Sequence, residues 1–177
     1  MNKITFKLLV FACMIIGSPA SAQTKLFEHP NFETIAKDHK IIAILPFSAK
    51  VSLRPKQMKE ITPEQLKDME YGEGRAIQNS MYTWFLNRQK RGKLLIEVQD
   101  PSKTNALLLK SDITDLARYT PEELATLLGV DAIITGHFET DKPMSDGASI
   151  ALGLIVGFWG STNAATVNMS VKNGSDG

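Results

Sequence analysis

Cysteine is almost missing from this sequence: the 177 residues include one, Cys13. It lies in the N-terminal stretch, where Lys3 and Lys7 flank the start of an apolar run and Ala20-Ser21-Ala22 provides a small-residue cleavage pattern. We predict that residues 1–22 are an export signal, whose removal leaves the mature chain without a thiol. A disulfide framework, a thiolate nucleophile and a cysteine-ligated metal site are then excluded.

Cys13 raises a second interpretation, lipid attachment, because Val10-Phe11-Ala12-Cys13 has the outline of a lipobox. Phe11 is bulky for that motif, and the apolar run continues beyond the cysteine. Cleavage after Ala22 is therefore the favoured processing, with a mature chain that begins at Gln23.

The sequence also lacks an excess of charge of either sign. Lysine and arginine number 20 against 19 acidic residues, and removing Lys3 and Lys7 with the signal takes the 20 basic residues to 18. Nucleic-acid binding requires a basic field, so we expect no nucleic-acid partner. The apolar run over residues 8–16 is shorter than the roughly 20 residues of a transmembrane helix. We therefore expect an exported chain that is periplasmic, associated with the outer membrane, or secreted.

Apolar patterning predicts one α/β domain over residues 39–177, preceded by a linker and short helix over residues 23–38. Residues 41–47 and 130–139 are β-branched runs typical of buried strands, and residues 94–98 form a shorter run. Helical patterns fill the intervals between these runs. A β-α-β-α-β order makes the strands parallel, so we predict a mixed sheet of about four or more strands with helices packed on it.

The longest predicted helix begins at the cap signal Thr62-Pro63 and runs to about residue 91. Gly72 and Gly74 interrupt it at about 1 kcal/mol each relative to alanine, which predicts a break or kink near Tyr71. Gly92 follows basic residues and is typical of a helix end. The predicted core face comprises Leu66, Met69, Ile77, Met81, Trp84 and Phe85.

The C-terminal part of the chain predicts further secondary structure. A capped helix opens at Thr120 and stops at Gly129, after a shorter helix over residues 106–110. Residues 165–172 alternate apolar and polar side chains, as in a strand with one apolar face. Residues 173–177 have the composition of a hairpin turn. We expect a returning strand beyond them, because its absence leaves an unpaired sheet edge and the C-terminal hairpin truncated.

Two stretches of the chain carry a family resemblance. Residues 40–47 (Lys-Ile-Ile-Ala-Ile-Leu-Pro-Phe) and 127–136 (Leu-Leu-Gly-Val-Asp-Ala-Ile-Ile-Thr-Gly), separated by a long helix and a short strand, resemble a superfamily of bacterial envelope domains. It includes the curli secretion-channel proteins, the lipoprotein activators of penicillin-binding proteins and the N-terminal domain of the Tol-system propeller protein. Residues 25–177 as a whole look like uncharacterised secreted bacterial proteins near that group.

The resemblance implies an α/β fold with a mixed sheet, and it brings neither an active site nor a ligand set. Two features depart from the family pattern. The chain has no convincing lipobox cysteine, and its glycine-rich run is one short segment, whereas the curli-type channel crosses the membrane with longer alternating hairpins.

Residues 148–160, Ala-Ser-Ile-Ala-Leu-Gly-Leu-Ile-Val-Gly-Phe-Trp-Gly, form an uncharged segment between two predicted strands. As a helix, its small residues at four-residue spacing would let another helix approach closely. As a strand pair, its glycines would permit tight turns. As a loop, it would fill the core of the domain. The candidate interaction residues are Ser149, Gly153, Gly157, Phe158, Trp159 and Gly160.

None of the remaining motifs predicts a catalytic, cofactor-binding or metal-binding residue. Ser149 nearly matches a nucleophile elbow, but all three histidines precede it in the chain. The turn over residues 157–162 lacks the lysine of a phosphate loop. His137 and Glu139 share one face of a strand, where we favour a sheet-surface pair over a metal site that has no third ligand. For the densest basic cluster, Arg88, Lys90, Arg91 and Lys93, we favour helix-end capping over contact with an anionic envelope polymer.

These features favour a non-enzymatic exported envelope protein that acts by protein–protein interaction, with another protein or with itself. The alternative is a membrane-associating oligomer related to bacterial secretion channels, in which residues 148–160 touch lipid without forming a single span.

Overall fold

The structure, a computed structural model, describes residues 27–140 and 165–177. Strands and helices are interspersed over the described ranges and form a single α/β domain. In chain order the elements are α1 (Phe32–Ala36), β1 (Ile41–Ile44), β2 (Ser48–Val51), α2 (Pro55–Met58), α3 (Pro63–Lys90), β3 (Glu97–Val98), α4 (Pro101–Lys110), a 3₁₀ turn (Leu116–Arg118), α5 (Pro121–Leu128), β4 (Ala132–Thr140) and β5 (Ala165–Asn173).

Strand β4 is the centre of a mostly parallel, five-stranded sheet. Antiparallel β5 pairs with it along its whole length, from Ala132 opposite Asn173 to Thr140 opposite Ala165. The other side of β4 is shared by two parallel strands, first β1 and then β2, and β3 adds in parallel to β1. The predicted α/β class and mixed sheet are therefore confirmed.

The chain leaves β1 earlier than predicted because of Pro46. The Leu45 N–H still donates to the Ile134 carbonyl oxygen at 2.8 Å, but Pro46 has no N–H with which to continue the ladder. The strand therefore ends at Ile44, and the chain resumes pairing with β4 only at Ser48, as a separate strand that the sequence pattern did not reveal.

Strand β3 is also shorter than predicted, since it covers two residues of the run 94–98. Leu94 and Ile96 still pack against the core, whereas Leu95 is 95 % exposed. Alternate side chains of this run are therefore packed against the core as the chain approaches the sheet. Only its last two residues, Glu97 and Val98, pair with β1.

Helix α3 is one uninterrupted element of 28 residues, so the predicted break at its glycines is wrong. Gly74 lies against the link between β1 and β2, where the Phe47 N–H donates to the Gly74 carbonyl oxygen at 3.3 Å. A Cβ atom at residue 74 would overlap the Phe47 carbonyl oxygen. This glycine therefore permits a close approach of helix and sheet, and the packing offsets its poor helix propensity.

The predicted helix ends are confirmed by their hydrogen bonds and dihedral angles. The Thr62 hydroxyl accepts from the Gln65 N–H, and the Gln65 side chain accepts from the Thr62 N–H, which forms a capping box at the start of α3. Thr120 forms the same motif at the start of α5. Gly92 and Gly129, with φ angles of 65° and 66°, follow the two helices in the left-handed conformation.

Helices cover the two faces of the sheet to different extents. Helix α3 packs on the first face along nearly the full length of β4, whereas α4 and α5 pack on the second face only as far as Ile133. The buried residues of the first core are Ile42, Ile44, Phe47, Ile77, Met81, Val98, Ala132, Ile134 and Phe138. Those of the second are Ala43, Leu45, Leu108, Leu124, Ala125, Leu128 and Ile133.

The core face predicted for α3 is correct in the C-terminal half of the helix, but it omits a buried polar residue. Ile77 and Met81 are 1 % exposed, and Trp84 and Phe85 pack against the first core. The sequence pattern missed Gln78, which is fully buried among these apolar residues. Polar residues thus take part in the buried face of this helix.

One residue, Asp131, joins the starts of β1 and β4 and the end of β5. Asp131 accepts from the N–H groups of Lys40 and Ile41 at 2.6 and 2.9 Å, and its own carbonyl oxygen accepts from the Gly174 N–H at 2.8 Å. These hydrogen bonds, first the one from Ile41 and then the one from Lys40, lower the pKa of the Asp131 carboxyl group. The predicted turn after β5 is formed, with the Gly177 N–H donating to the Asn173 carbonyl oxygen.

Candidate interaction surface

The side chains of β5 alternate as predicted, with its apolar face toward α3. Val167 and Met169 lie opposite Phe138 and Gly136 of β4 and pack against the first core. Val171 lies on the same face but is 50 % exposed. The apolar face of β5 is therefore partly buried at Val167 and Met169 and more exposed at Val171.

The backbone of β5 presents a row of amides away from β4. In antiparallel pairs, residues that bond to the neighbouring strand alternate with residues whose N–H and C=O point outward. The Gly174 N–H donates to the Asp131 carbonyl oxygen, so Gly174 faces β4. Every second residue before it therefore bonds to β4 as well, namely Lys172, Ser170, Asn168 and Thr166. The backbone groups of Val167, Met169 and Val171 therefore point to the outer edge, where no strand of the described ranges pairs with them.

The other edges of the sheet are covered or short. On β2, the Val51 N–H donates to the Glu70 carboxylate at 3.1 Å, and α3 packs alongside this strand. Strand β3 is two residues long and offers little edge to a partner. Of the described strands, β5 therefore has the long open edge.

Strand β5 carries few of the devices that keep natural sheet edges from pairing. It has no proline, it contains a single charged residue, Lys172, and its register with β4 has no bulge. Lys172 lies near α5, where the pKa of Glu122 is lowered first by a hydrogen bond with Thr120 and to a lesser extent by the Lys172 charge. This lysine lies on the polar face of the strand, so it gives the central apolar residues little protection.

A polar patch occupies the part of the second sheet face that α4 and α5 leave uncovered. His137 Nε2 lies 3.1 Å from Glu139 Oε1, and His137 Nδ1 lies 3.4 Å from Ser48 Oγ. The His137 and Glu139 side chains are 40 % and 54 % exposed. A hydroxyl, an imidazole and a carboxylate are the groups of a hydrolytic triad, but such sites exclude water and these groups lie in solvent. The geometry is that of a sheet-surface pair.

Metal binding finds no support in the described part of the chain. Within residues 27–140 and 165–177, no three His, Cys, Asp or Glu side chains are grouped closely enough to hold a metal ion. His137 and Glu139 lie together as the sequence predicts, but no third ligand joins them there.

A buried amide network lies where α3 meets α4, near the carboxyl end of β1. Gln78 and Asn105 exchange side-chain hydrogen bonds of 3.0 and 3.2 Å, and Gln78 also donates to the Ile44 carbonyl oxygen at 2.7 Å. Gln99 donates to the Leu128 carbonyl oxygen and accepts from the Thr104 hydroxyl. Ligands of α/β sheets commonly bind at this end, but here the amides bind one another and the main chain. The network therefore joins the two helices to the sheet.

The basic residues at the end of α3 have local contacts. The Arg88 guanidinium lies over the Trp84 ring, 4.1 Å from its centre, and the Arg88 carbonyl oxygen accepts from the Lys93 N–H. Trp84 in turn meets Phe85 edge to face, with ring centres 5.0 Å apart. These contacts agree with a helix-terminal role for the cluster.

The candidate residues of the glycine-rich segment, Ser149, Gly153, Gly157, Phe158, Trp159 and Gly160, lie outside the described residues. The structure does define where that segment is attached. Thr140 and Ala165, which flank residues 141–164, are a directly paired couple at one end of the β4–β5 ladder. The segment therefore leaves and rejoins the domain beside the open edge strand.

No family model, curated protein or solved structure matches this chain. Among the helices of the described ranges, none is both long and apolar enough to span a bilayer.

Proposed function

We propose that this chain is a non-enzymatic, exported accessory protein of the bacterial envelope that works by protein–protein interaction. The observation that carries the proposal is the nine-residue strand β5, in which the outward backbone groups of Val167, Met169 and Val171 meet no other strand of the described ranges. Extended segments bind such edges by adding a strand, with main-chain hydrogen bonds supplying affinity and alternate side chains supplying specificity.

Two sequence features support this proposal. The predicted signal over residues 1–22 directs the chain out of the cytoplasm. The uncharged segment over residues 148–160 belongs to the connection between Thr140 and Ala165, which pair at one end of the β4–β5 ladder, and its composition suits an apolar contact with a partner. The resemblance to envelope domains is consistent with both features.

Site-specific photo-cross-linking tests the interaction. A photoreactive residue at position 171 lies on the proposed contact strand, and one at position 95, an exposed residue next to β3, lies at the opposite side of the sheet. We expect a discrete cross-linked protein species from position 171 in envelope fractions of the producing cell, and much less from position 95. Equal labelling from the two positions would contradict an edge-specific partner.

A proline substitution provides the matched loss-of-binding variant. Met169→Pro removes an outward N–H and spares the hydrogen bonds to β4, whereas Asn168→Pro removes an N–H that faces β4. We expect Met169→Pro to abolish the cross-link from position 171 while the circular dichroism spectrum stays unchanged. Asn168→Pro serves as the control for damage to the sheet itself.

The alternative function is a membrane-associating oligomer, and the uncharged run over residues 148–160 is the feature that favours it. Alkaline carbonate extraction separates the two. Release of the chain into the soluble fraction supports the accessory-protein function, and retention in the membrane pellet supports lipid contact.

A further inference from the structure

We propose that the corner between α3 and β3 docks this protein onto an anionic phospholipid bilayer as a peripheral contact. The corner covers the last turn of the helix and the approach to the strand, residues 88–95. The inference goes beyond the proposed function, because it concerns the opposite side of the sheet from β5. Four cations and one apolar side chain carry it: Arg88, Lys90, Arg91, Lys93 and Leu95.

Charge is segregated along this part of the chain. Between Glu73 and Glu97 there are five basic residues and no acidic one, although the whole chain holds 20 basic and 19 acidic residues. All four cations of the corner are exposed, and within the described ranges none of them has a carboxylate at salt-bridge distance. The corner is therefore a basic surface that the described structure leaves without counter-charge.

The main chain already caps the end of α3. The Gly92 N–H donates to the Gln89 carbonyl oxygen at 2.8 Å, and the Lys93 N–H donates to the Arg88 carbonyl oxygen at 2.9 Å. These carbonyl groups have main-chain donors, so the basic side chains are not needed to satisfy them. The attraction of cations to the helix dipole leaves the ammonium and guanidinium groups of the corner available to an external anion.

Leu95 adds an exposed apolar side chain to the corner. It is 95 % exposed, whereas its neighbours Leu94 and Ile96 pack against the first core. Gln89 Nε2 donates to the Ile96 carbonyl oxygen at 2.6 Å, which fixes this stretch beside the last turn of α3. Leu95 therefore projects into solvent close to the cations, on a backbone that is positioned by contacts within the domain.

A bilayer surface satisfies both features at once. Anionic headgroups attract exposed basic residues, and an apolar side chain among them inserts at the boundary between headgroups and acyl chains. A soluble polyanion would bind the cations and leave Leu95 in water. The contact is peripheral, so alkaline carbonate should release it. It is thus distinct from the lipid contact considered for residues 148–160.

Co-sedimentation with vesicles tests the contact, with the full chain as exported and processed by its host. We expect binding to vesicles of phosphatidylethanolamine and phosphatidylglycerol, and little binding to vesicles of phosphatidylcholine alone. A concentration of about 1 M NaCl should release the chain, because the Debye length falls to about 3 Å. Equal binding to the two kinds of vesicle, or no binding to either, would overturn the proposal.

Removing two cations tests the electrostatic part. Lys90→Gln combined with Arg91→Gln should weaken partitioning onto the anionic vesicles about thirtyfold, at roughly fivefold for each cation. Lys56→Gln combined with Lys59→Gln is the matched control, since the 28 residues of α3 separate the two pairs by roughly 40 Å. The control should weaken partitioning less than about threefold. Equal losses would show that net charge alone drives binding and would overturn a contact at this corner.

Substitution of the leucine distinguishes a bilayer from a soluble polyanion. Leu95→Ser should weaken partitioning onto the anionic vesicles about tenfold, as partial burial of a leucine side chain implies, and should leave binding to dextran sulfate unchanged. Leu109→Ser, at a residue of α4 that is 75 % exposed, is the control and should have less than about a twofold effect. Circular dichroism establishes that each variant is folded. Vesicle binding that depends on the cations but not on Leu95 would identify a polyanion site and overturn the lipid contact.

This proposal and the proposed function can fail separately. The photo-cross-link from position 171 requires a protein partner and does not depend on vesicle binding. Lipid contact at the corner in turn predicts no discrete cross-linked protein species from position 95. A chain that yields the position-171 species but ignores anionic vesicles overturns the lipid contact alone.

Discussion

The N–H groups that point outward from β2 and from β5 have different surroundings. On the β2 side, the Glu70 carboxylate accepts from Val51 and α3 packs against the strand. On the β5 side, nine residues pair with β4, and the described structure offers their outward amides no further strand. The comparison shows that the long helix protects the sheet asymmetrically: within the described residues it covers the outer side of β2 and leaves the outer side of β5 without a neighbour.

The largest expected effect on stability comes from a substitution that pushes α3 away from the sheet. Gly74→Ala places a Cβ atom where the Phe47 carbonyl oxygen lies, so the helix must move away from the sheet. We expect a loss of about 3 kcal/mol in the free energy of unfolding, typical of overpacking against backbone. Urea denaturation measures it.

Gly72→Ala is the matched control for that variant, because no heavy atom lies within 4 Å of its new Cβ atom. It should stabilise the protein by about 0.5–1 kcal/mol through helix propensity. Equal effects of the two alanines would contradict the close approach at Gly74.

Asp131 accepts hydrogen bonds from the start of β1 and from the residue after β5, and its substitution should have the next largest effect on stability. Asp131→Asn weakens the hydrogen bonds to the Lys40 and Ile41 amides and should cost about 1.5 kcal/mol at pH 7. Because the pKa of this carboxyl group is lowered in the folded state, its stabilisation is present above the unfolded pKa of about 3.9 and is lost as the pH falls through the folded value.

Urea unfolding of the parent and Asp131→Asn chains from pH 7 down to pH 2 measures this dependence. The difference in unfolding free energy between them should shrink as the pH falls. A constant difference would show that the ionised form of Asp131 contributes nothing to stability.

A smaller effect on stability is expected from removing the carboxylate that covers the outer edge of β2. Glu70→Ala removes the acceptor of the Val51 N–H and should cost about 1 kcal/mol. It should also speed hydrogen exchange at the Val51 amide toward the rates of the outward β5 amides, such as Met169. Glu70→Gln keeps an acceptor oxygen and should preserve slow exchange. Unchanged exchange in Glu70→Ala would argue against this protection.

The smallest effect on stability is expected from a substitution of Val171, on the apolar face of β5. Val171 is half exposed, so Val171→Lys should change the free energy of unfolding of the isolated chain by less than about 0.5 kcal/mol. Thermal unfolding measures it. A large loss there would mean that Val171 belongs to the core of the single chain.

Much of the architecture could be predicted because it depends on local signals. The Thr62 and Thr120 caps, the left-handed glycines at residues 92 and 129 and the alternation of β5 each follow from near-neighbour chemistry. Burial of Ile77 and Met81 follows from the 3.6-residue period. The candidate residues over 149–160 stay predictions, since they lie outside the described structure.

Strand pairing could not be read from local patterns. Two strands, β1 and β2, share one side of β4 because Pro46 interrupts the ladder and the chain resumes it four residues after Ile44. The break predicted in α3 failed for a similar reason: propensity penalises Gly74, whereas a contact with Phe47, distant in sequence, requires it.

By itself, the amino-acid sequence determined most of the elements, the caps of the helices that begin at Thr62 and Thr120, and the apolar and polar faces of β5, because these depend on interactions within a few residues. Only the tertiary structure decided that β5 lies outermost, that Asp131 ties three strands together and that the amides of Val167, Met169 and Val171 point outward. Hydrogen-bond direction at a strand edge depends on the neighbouring strand and its register, and both are set by residues far apart in the chain.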